Sequence, residues 1–424
     1  MSKSDQTDQA NQTGRASSGP LAGLRVIDLS RILAGPAATQ ILGDLDCDII
    51  KIERPGAGDD TRKWGPNYLK DRDGNPVDES AYYASANRNK RSVAIDITQP
   101  EGAALVKALL ADADVLIENF KVGGLSKYGL GYEQLKDEFP GLVYCSITGF
   151  GQTGPYADRP GYDFMIQGMG GIMSLTGEPE GEPMKVGVAV ADVMCGMYAS
   201  VSILAALRHR DATGRGQMID LSLLDTQIAW LMNQGLNYLT TGIAPARFGN
   251  AHPNIVPYQV FPTSDGHFVL AVGNDAQFQR FCEIAEIDEV GADPRFVTND
   301  ARIANRDGLI PLIKAATARR TTHDWLERLA GAGVPAGPVN TLDRVFADPQ
   351  VRHRGMEIAM TNEATGGATS RLIASPIRMS ETPVSYRIAP PALGQHTAEV
   401  LGELLGLDAA ALAALAEKGV IGGV

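Results

Sequence analysis

A chain of 424 residues exceeds what one compact core usually encloses, so two domains are expected. Hydrophobic residues at 44% and charged residues at 21% suit a globular fold with a large core, and the net charge of -12 excludes a protein built to bind nucleic acid. The four cysteines, Cys47, Cys145, Cys195 and Cys282, form no CxxC pair and the histidines lack zinc-ligand spacing, so neither a metal site nor a disulfide framework is expected.

Residues 1–18 are polar and read as a disordered tail, without the apolar core of a signal peptide. No run of about 18 apolar residues is present. The expectation is a cytoplasmic protein with no membrane partner. From Leu24 the chain alternates short apolar runs with helical patterns. Leu24–Ser30 reads as a strand, and Gly35-Pro36 opens a helix that runs to about Leu45. Cys47–Glu53, Ser92–Ile97, Asp114–Phe120 and Leu142–Phe150 read as further strands, with a helix starting near Gln99-Pro100. This alternation predicts an α/β fold, a parallel sheet covered by helices on both faces. Apolar spacing from Val193 to Arg208 predicts a buried helix, and Met218–Leu223 another strand. Beyond Arg247 the character changes. Tyr258–Phe261 and His267–Val272 form a predicted antiparallel hairpin, followed by helices near 275–286, 300–318 and 323–331 and a last one near 397–417. The expected division is a large domain over 19–225, a linker helix over 226–246, a small α+β domain over 247–340 and a return to the large domain over 341–424.

Ligands of open parallel sheets bind beyond the carboxyl ends of the strands. Four unusual segments fall there: Ser30–Pro36, Glu53–Arg62, Glu118–Phe120 and Thr148–Gly154. The motifs GxGxxG, GxxxxGK[ST], GxSxG and HExxH are all missing, which weighs against a nicotinamide dehydrogenase, a P-loop ATPase, an α/β-hydrolase and a zinc protease. On residue pattern alone Asp192 reads as the N-cap of the helix that follows it.

Taken together, several blocks resemble class III coenzyme A transferases (the CaiB/BaiF type). They are Leu21-Ala-Gly-Leu-Arg-Val-Ile-Asp-Leu29, Leu33-Ala-Gly-Pro36, Lys51-Ile-Glu-Arg-Pro-Gly56, Asn87-Arg-Asn-Lys-Arg-Ser92, Thr148-Gly-Phe-Gly-Gln-Thr-Gly-Pro155, Thr213-Gly-Arg-Gly-Gln217 and Gly394-Gln-His-Thr397. The resemblance runs from about Pro20 almost to the C-terminus. Within the family, Gly58–Arg62, Tyr144–Thr148 and Phe248–His252 are most similar to enzymes using succinyl-CoA and a dicarboxylate acceptor such as glutarate.

The resemblance implies a Rossmann-like, doubly wound large domain built from both chain ends, a smaller domain between them, and two chains interlocked as a homodimer. It implies that Asp192, after Val186-Gly-Val-Ala-Val-Ala, is the catalytic nucleophile. It implies CoA contacts from Arg54, Asn119, Lys127, Leu33, Ala34 and Tyr162. Arg31, Arg62, Gly249, Asn250 and His252 are its weaker candidates for the acceptor. No permanent cofactor and no metal are implied; the CoA thioester is a substrate. Leu33 stands where formate and oxalate users of the family carry glutamine, which argues for a larger, partly apolar substrate. An alternative within the same fold is 2-methylacyl-CoA racemisation. Racemases place a histidine after the Gly at position 161, and here Tyr162 follows it, so one of two bases is lacking.

Overall fold

The computed structural model describes residues 19–424; the tail predicted over 1–18 lies outside the described residues. The chain divides into two compact units. The larger takes the chain up to Gly170, then Gly187–Met232 and Arg352–Val424; the smaller takes Gly171–Val186 and Asn233–Val351. The boundaries differ from those read in the sequence, chiefly because 171–186 belongs with the smaller unit. That segment has one helix of four residues, Ile172–Leu175, so periodicity gives no sign of the core it joins. Arg247 ties it down, donating to the carbonyls of Glu178, Pro179 and Gly181.

The larger unit is built on seven strands: β1 (Arg25–Asp28), β2 (Asp48–Glu53), β3 (Lys90–Ile95), β4 (Val115–Glu118), β5 (Val143–Thr148), β6 (Met218–Ser222) and β7 (Ile421–Gly422). Their order is β7-β3-β2-β1-β4-β5-β6. The first six are all parallel, and β7 closes the edge antiparallel to β3. The 3-2-1-4-5-6 core is the order of doubly wound nucleotide-binding sheets, reversing direction beside β1. The strands read as unbroken apolar runs because both faces are buried. Val26, Ile49 and Val115 pack on one face, and Ile27, Ile50 and Leu116 on the other.

Helices Ala34–Asp44 and Val190–Thr213 cover the first face, Pro100–Leu110 and Thr397–Leu405 the second. The sequence shows no uninterrupted apolar run of membrane length, yet Val190–Thr213 is long and apolar enough to cross one. It is instead a core helix, with Cys195, Ala199, Ile203, Ala206 and Leu207 buried. The helix expected over 397–417 breaks in two, since Gly406 adopts φ +68 and Asp408 caps a second helix from Ala409. Two short hairpins escaped the sequence reading, Tyr68–Lys70 with Pro76–Ser80 and Glu357–Asn362 with Ala368–Ile373.

In the smaller unit Tyr258–Pro262, His267–Ala271 and Ala336–Pro338 form an antiparallel sheet. Helices Asp275–Ala285, Arg306–Thr317 and Thr322–Gly331 close a core around Phe261, Phe268, Phe281 and Trp325.

Candidate active site

Asp192 belongs to the larger unit. The helix starts at Val190 with Ala189 as its cap, so Asp192 stands in the first turn and is not the N-cap. A helix between parallel strands runs back against them, which puts its N-terminus, and with it Asp192, at the carboxyl edge of the sheet. Gly196 lies one turn further along on the same helical face. A Cβ there would come within 2.6 Å of the Ala34 carbonyl oxygen and 3.3 Å of the Ala37 Cβ. The missing side chain lets the Leu33-Ala34-Gly35-Pro36 turn press against the helix just below Asp192.

Among the described residues Asp192 accepts no hydrogen bond and forms no ion pair. Burial, and then the negative charge of Asp163, push its carboxyl up to about 7. Asp163 opens the helix Asp163–Met169; its Oδ1 accepts the Ala191 backbone N–H at 2.8 Å and its Oδ2 the Gln167 amide at 2.8 Å. Asp163 therefore holds the residue beside the nucleophile. Its own position depends on a pair of glycines: a Cβ on Gly161 would meet the Gly149 Cα at 2.2 Å, and one on Gly149 the Gly161 Cα at 2.5 Å. Tyr82 completes the surroundings. Its hydroxyl is raised by burial and then by Asp192, Asp163 and Asp59, and its ring meets Trp64 edge-on at 5.1 Å. Asp163, Tyr82, Trp64 and Gly196 were missed as site residues by the sequence reading. Only Asp163 carried a signal there, beside Tyr162.

The remaining candidates sort by what their side chains touch. Leu33 and Ala34 form the turn under Asp192. Tyr162, 65% exposed, precedes Asp163. Arg54 directly follows β2, and Lys127 lies in the turn Ser126–Tyr128 after β4; both are exposed and neither forms an ion pair among the described residues. Asn119 turns inward: its Oδ1 accepts the Arg31 N–H at 2.9 Å and its Nδ2 donates to the Arg31 carbonyl at 2.7 Å. Arg31 is exposed and pairs with Asp60 at 2.9 Å.

Arg62 requires correction as an acceptor ligand. It is 2% exposed, its Nε and Nη2 donate to Glu53 and its Nη1 to Glu79 and the Pro391 carbonyl, while its guanidinium stacks on Tyr83 at 3.8 Å. Every donor edge is already engaged inside the protein, so the residue holds the β2 loop. In the smaller unit Gly249 takes φ +60, Asn250 lines a cavity with Asp265, His267 and Arg344, and His252 tilts against Tyr258 at 5.3 Å. The His252 Nδ1 accepts the Asn254 N–H, and burial, then Arg306, hold its pKa below the usual histidine value. Among the described residues no cluster of His, Cys, Asp and Glu has the make-up of a metal site.

Sheet order and site together define a doubly wound enzyme with an uncompensated carboxylate, Asp192, at the carboxyl edge, where group-transfer substrates bind. The chain belongs to CoA-transferase family III, whose family model matches residues 21–397. It is 52% identical over 385 residues to a succinate–glutarate CoA-transferase of Agrobacterium fabrum, covering 91% of this chain and 96% of that one. It is 44% identical over 403 residues to the succinyl-CoA:glutarate CoA-transferase of Mus musculus, covering 95% of this chain and 90% of that one. A crystal structure of a CaiB/BaiF family protein from Brucella suis superposes with a TM-score of 0.81 at 50% identity, covering 91% of this chain and 99% of that one.

Proposed function

We propose that this CoA-transferase moves CoA from succinyl-CoA to a dicarboxylate of about glutarate's size, with Asp192 as nucleophile. The observation that carries the mechanism is the Asp192 carboxyl itself, desolvated, without a cation, and pushed up to about 7. A carboxylate so placed is more basic than one in water and still largely ionised above neutral pH, a combination that favours nucleophilic attack. Asp192 attacks the thioester carbonyl, the C–S bond breaks, and CoA leaves as thiolate from a mixed anhydride. The thiolate attacks the aspartyl carbonyl, giving an aspartyl-CoA thioester and freeing succinate. The acceptor carboxylate then attacks that thioester, and the thiolate returns to the acceptor's carbonyl, restoring Asp192. No proton needs to be taken from a substrate, in keeping with Tyr162, and not histidine, following Gly161. The relatives' names support the donor and acceptor, and Leu33 supports an acceptor with an apolar middle. Arg54 and Lys127 are the cations offered to the CoA phosphates.

The doubly wound large domain, the smaller domain and the interlocked homodimer belong to the same reading. Support for a partner copy comes from apolar side chains left exposed on the larger unit: Val201 at 65%, Met197 at 50%, Phe164 at 59% and Met232 at 72%. Cytoplasmic location is supported by four buried free thiols. The test incubates the protein with succinyl-CoA and a pool of carboxylates (glutarate, malate, citramalate, itaconate, oxalate), with Asp192→Ala in parallel. New CoA esters are identified by mass spectrometry. A glutaryl-type ester made by the wild type and missing from the variant is expected. Full activity in Asp192→Ala would remove the mechanism, and an oxalyl ester alone would remove the acceptor class.

A further inference from the structure

The turn from Ser30 to Leu33 carries a backbone conformation that its sequence resists. Ile32 has φ +71, a strained region that β-branched residues avoid. Five successive backbone groups around it are all held by side chains. The Ser30 N–H donates to Asp28 and the Ser30 carbonyl accepts from Lys51, each at 2.9 Å. The Arg31 N–H and carbonyl pair with the two ends of the Asn119 amide, at 2.9 and 2.7 Å. The Ile32 N–H is shared between both oxygens of Asp59 at 3.2 Å. Asn119 is braced in turn, since the next N–H, that of Phe120, donates to the buried Glu118 at 2.7 Å. The strained residue leads directly into Leu33 and Ala34, whose carbonyl fills the space that Gly196 leaves below Asp192.

We infer that Asn119 is a positioning residue for Asp192: it clamps the strained turn from the β4 side so that the floor beneath the nucleophile is fixed. The inference rests on Asp192 being the nucleophile. Asn119 suits the task because one planar amide both accepts and donates, matching the N–H and C=O of one extended residue. One donor and one acceptor of its amide are thereby committed to the turn.

The test compares Asn119→Ala, Asn119→Asp, Ile32→Gly and the double variant Asn119→Ala/Ile32→Gly by kcat and by KM for the acyl-CoA, with Asp192→Ala as control. Asn119→Ala is expected to lower kcat by about tenfold with KM within about twofold, since small misplacements at a reacting centre act on rate. Asn119→Asp, which accepts the N–H but has no donor for the carbonyl, falls between. Glycine takes positive φ without strain, so the double variant is expected to recover to within about threefold of Ile32→Gly. A rise in KM with kcat unchanged would show direct ligand contact and overturn the clamp, as would a double variant no better than Asn119→Ala. If Asn119→Ala does not fold, Asn119→Asp carries the same comparison with Ile32→Gly. Activity surviving in Asp192→Ala would instead remove the nucleophile assignment.

Discussion

Two groups of carboxylates in the larger unit, one buried and one half-buried, titrate in opposite directions. Asp28, Glu53 and Asp59 lie below their ordinary values, while Asp192 is pushed up to about 7. Burial is the largest influence on every one of them and raises all four. What reverses its effect in the first group is a cation within reach: Lys90 and Lys51 for Asp28, Arg62 for Glu53, Lys51 for Asp59. Among the described residues the charge that acts on Asp192 is another carboxylate, Asp163. Depth alone thus does not mark a functional acid here, and neither does the lack of a counter-charge, since burial also pushes Glu118 up to about 7; what sets Asp192 apart is that, unlike Glu118, it accepts no hydrogen bond among the described residues. The first group fastens the loops after β1 and β2, and the second is left chemically exposed.

The largest effect should come from breaking the compensated group. Arg62→Met leaves Glu53 and Glu79 buried without their cation and is expected to lower unfolding free energy by about 3–5 kcal/mol, measured by urea denaturation. The folded fraction should keep the wild-type KM for the acceptor, since the guanidinium is enclosed. A raised acceptor KM with unchanged stability would return Arg62 to the substrate.

At Asp192 the sign should reverse. Because folding raises this carboxyl from its ordinary 3.8, its penalty is absent below about pH 4, grows through the folded value of about 7, and is complete above it. Asp192→Asn removes the charge, so it should unfold later than the wild type at pH 8, by roughly 1–3 kcal/mol. At pH 4 the two proteins should match. Activity is expected to vanish while stability rises. Equal stability at both pH values would mean that Asp192 is paired in solution.

The sequence made the sheet legible because a parallel strand buried on both faces is an apolar run that helical spacing does not imitate. Leu24–Ser30 and Cys47–Glu53 were found within three residues of their ends. The hairpin Tyr68–Ser80 was not, because Asp71-Arg-Asp-Gly74 and Pro76 dilute any alternation and its residues are mostly exposed. At the site, Asp192 came from the family resemblance; its pattern alone suggested a cap. Arg62 was placed at the carboxyl edge but given a ligand to hold. A linear sequence shows that a guanidinium or an amide is present. It does not show that Glu53 and Glu79 already engage the first, or that the second also braces the Arg31 backbone. Asp163 and Gly196 matter through a charge near Asp192 and a missing Cβ against Ala34, both properties of the packed helix pair and not of any motif.

The finest test of the comparison alters the second group without emptying it. Asp163→Asn keeps an oxygen to accept the Ala191 N–H. The helix start should therefore stay in place while one negative charge disappears. Asp192 then loses the smaller of its two upward influences and retains burial, the larger, so its pKa should fall below 7 but remain above that of an exposed aspartate. The acidic limb of kcat/KM for the acyl-CoA, which reports ionisation of the free enzyme, should move to lower pH. Near pH 6 the variant should hold a larger ionised fraction than the wild type. At pH 8, where both are ionised, its less basic carboxylate should react somewhat more slowly. The two profiles should therefore cross. A limb that did not move would mean that Asp163 acts only through the Ala191 hydrogen bond, and a limb that moved upward would mean that its charge does not raise Asp192 in the working enzyme.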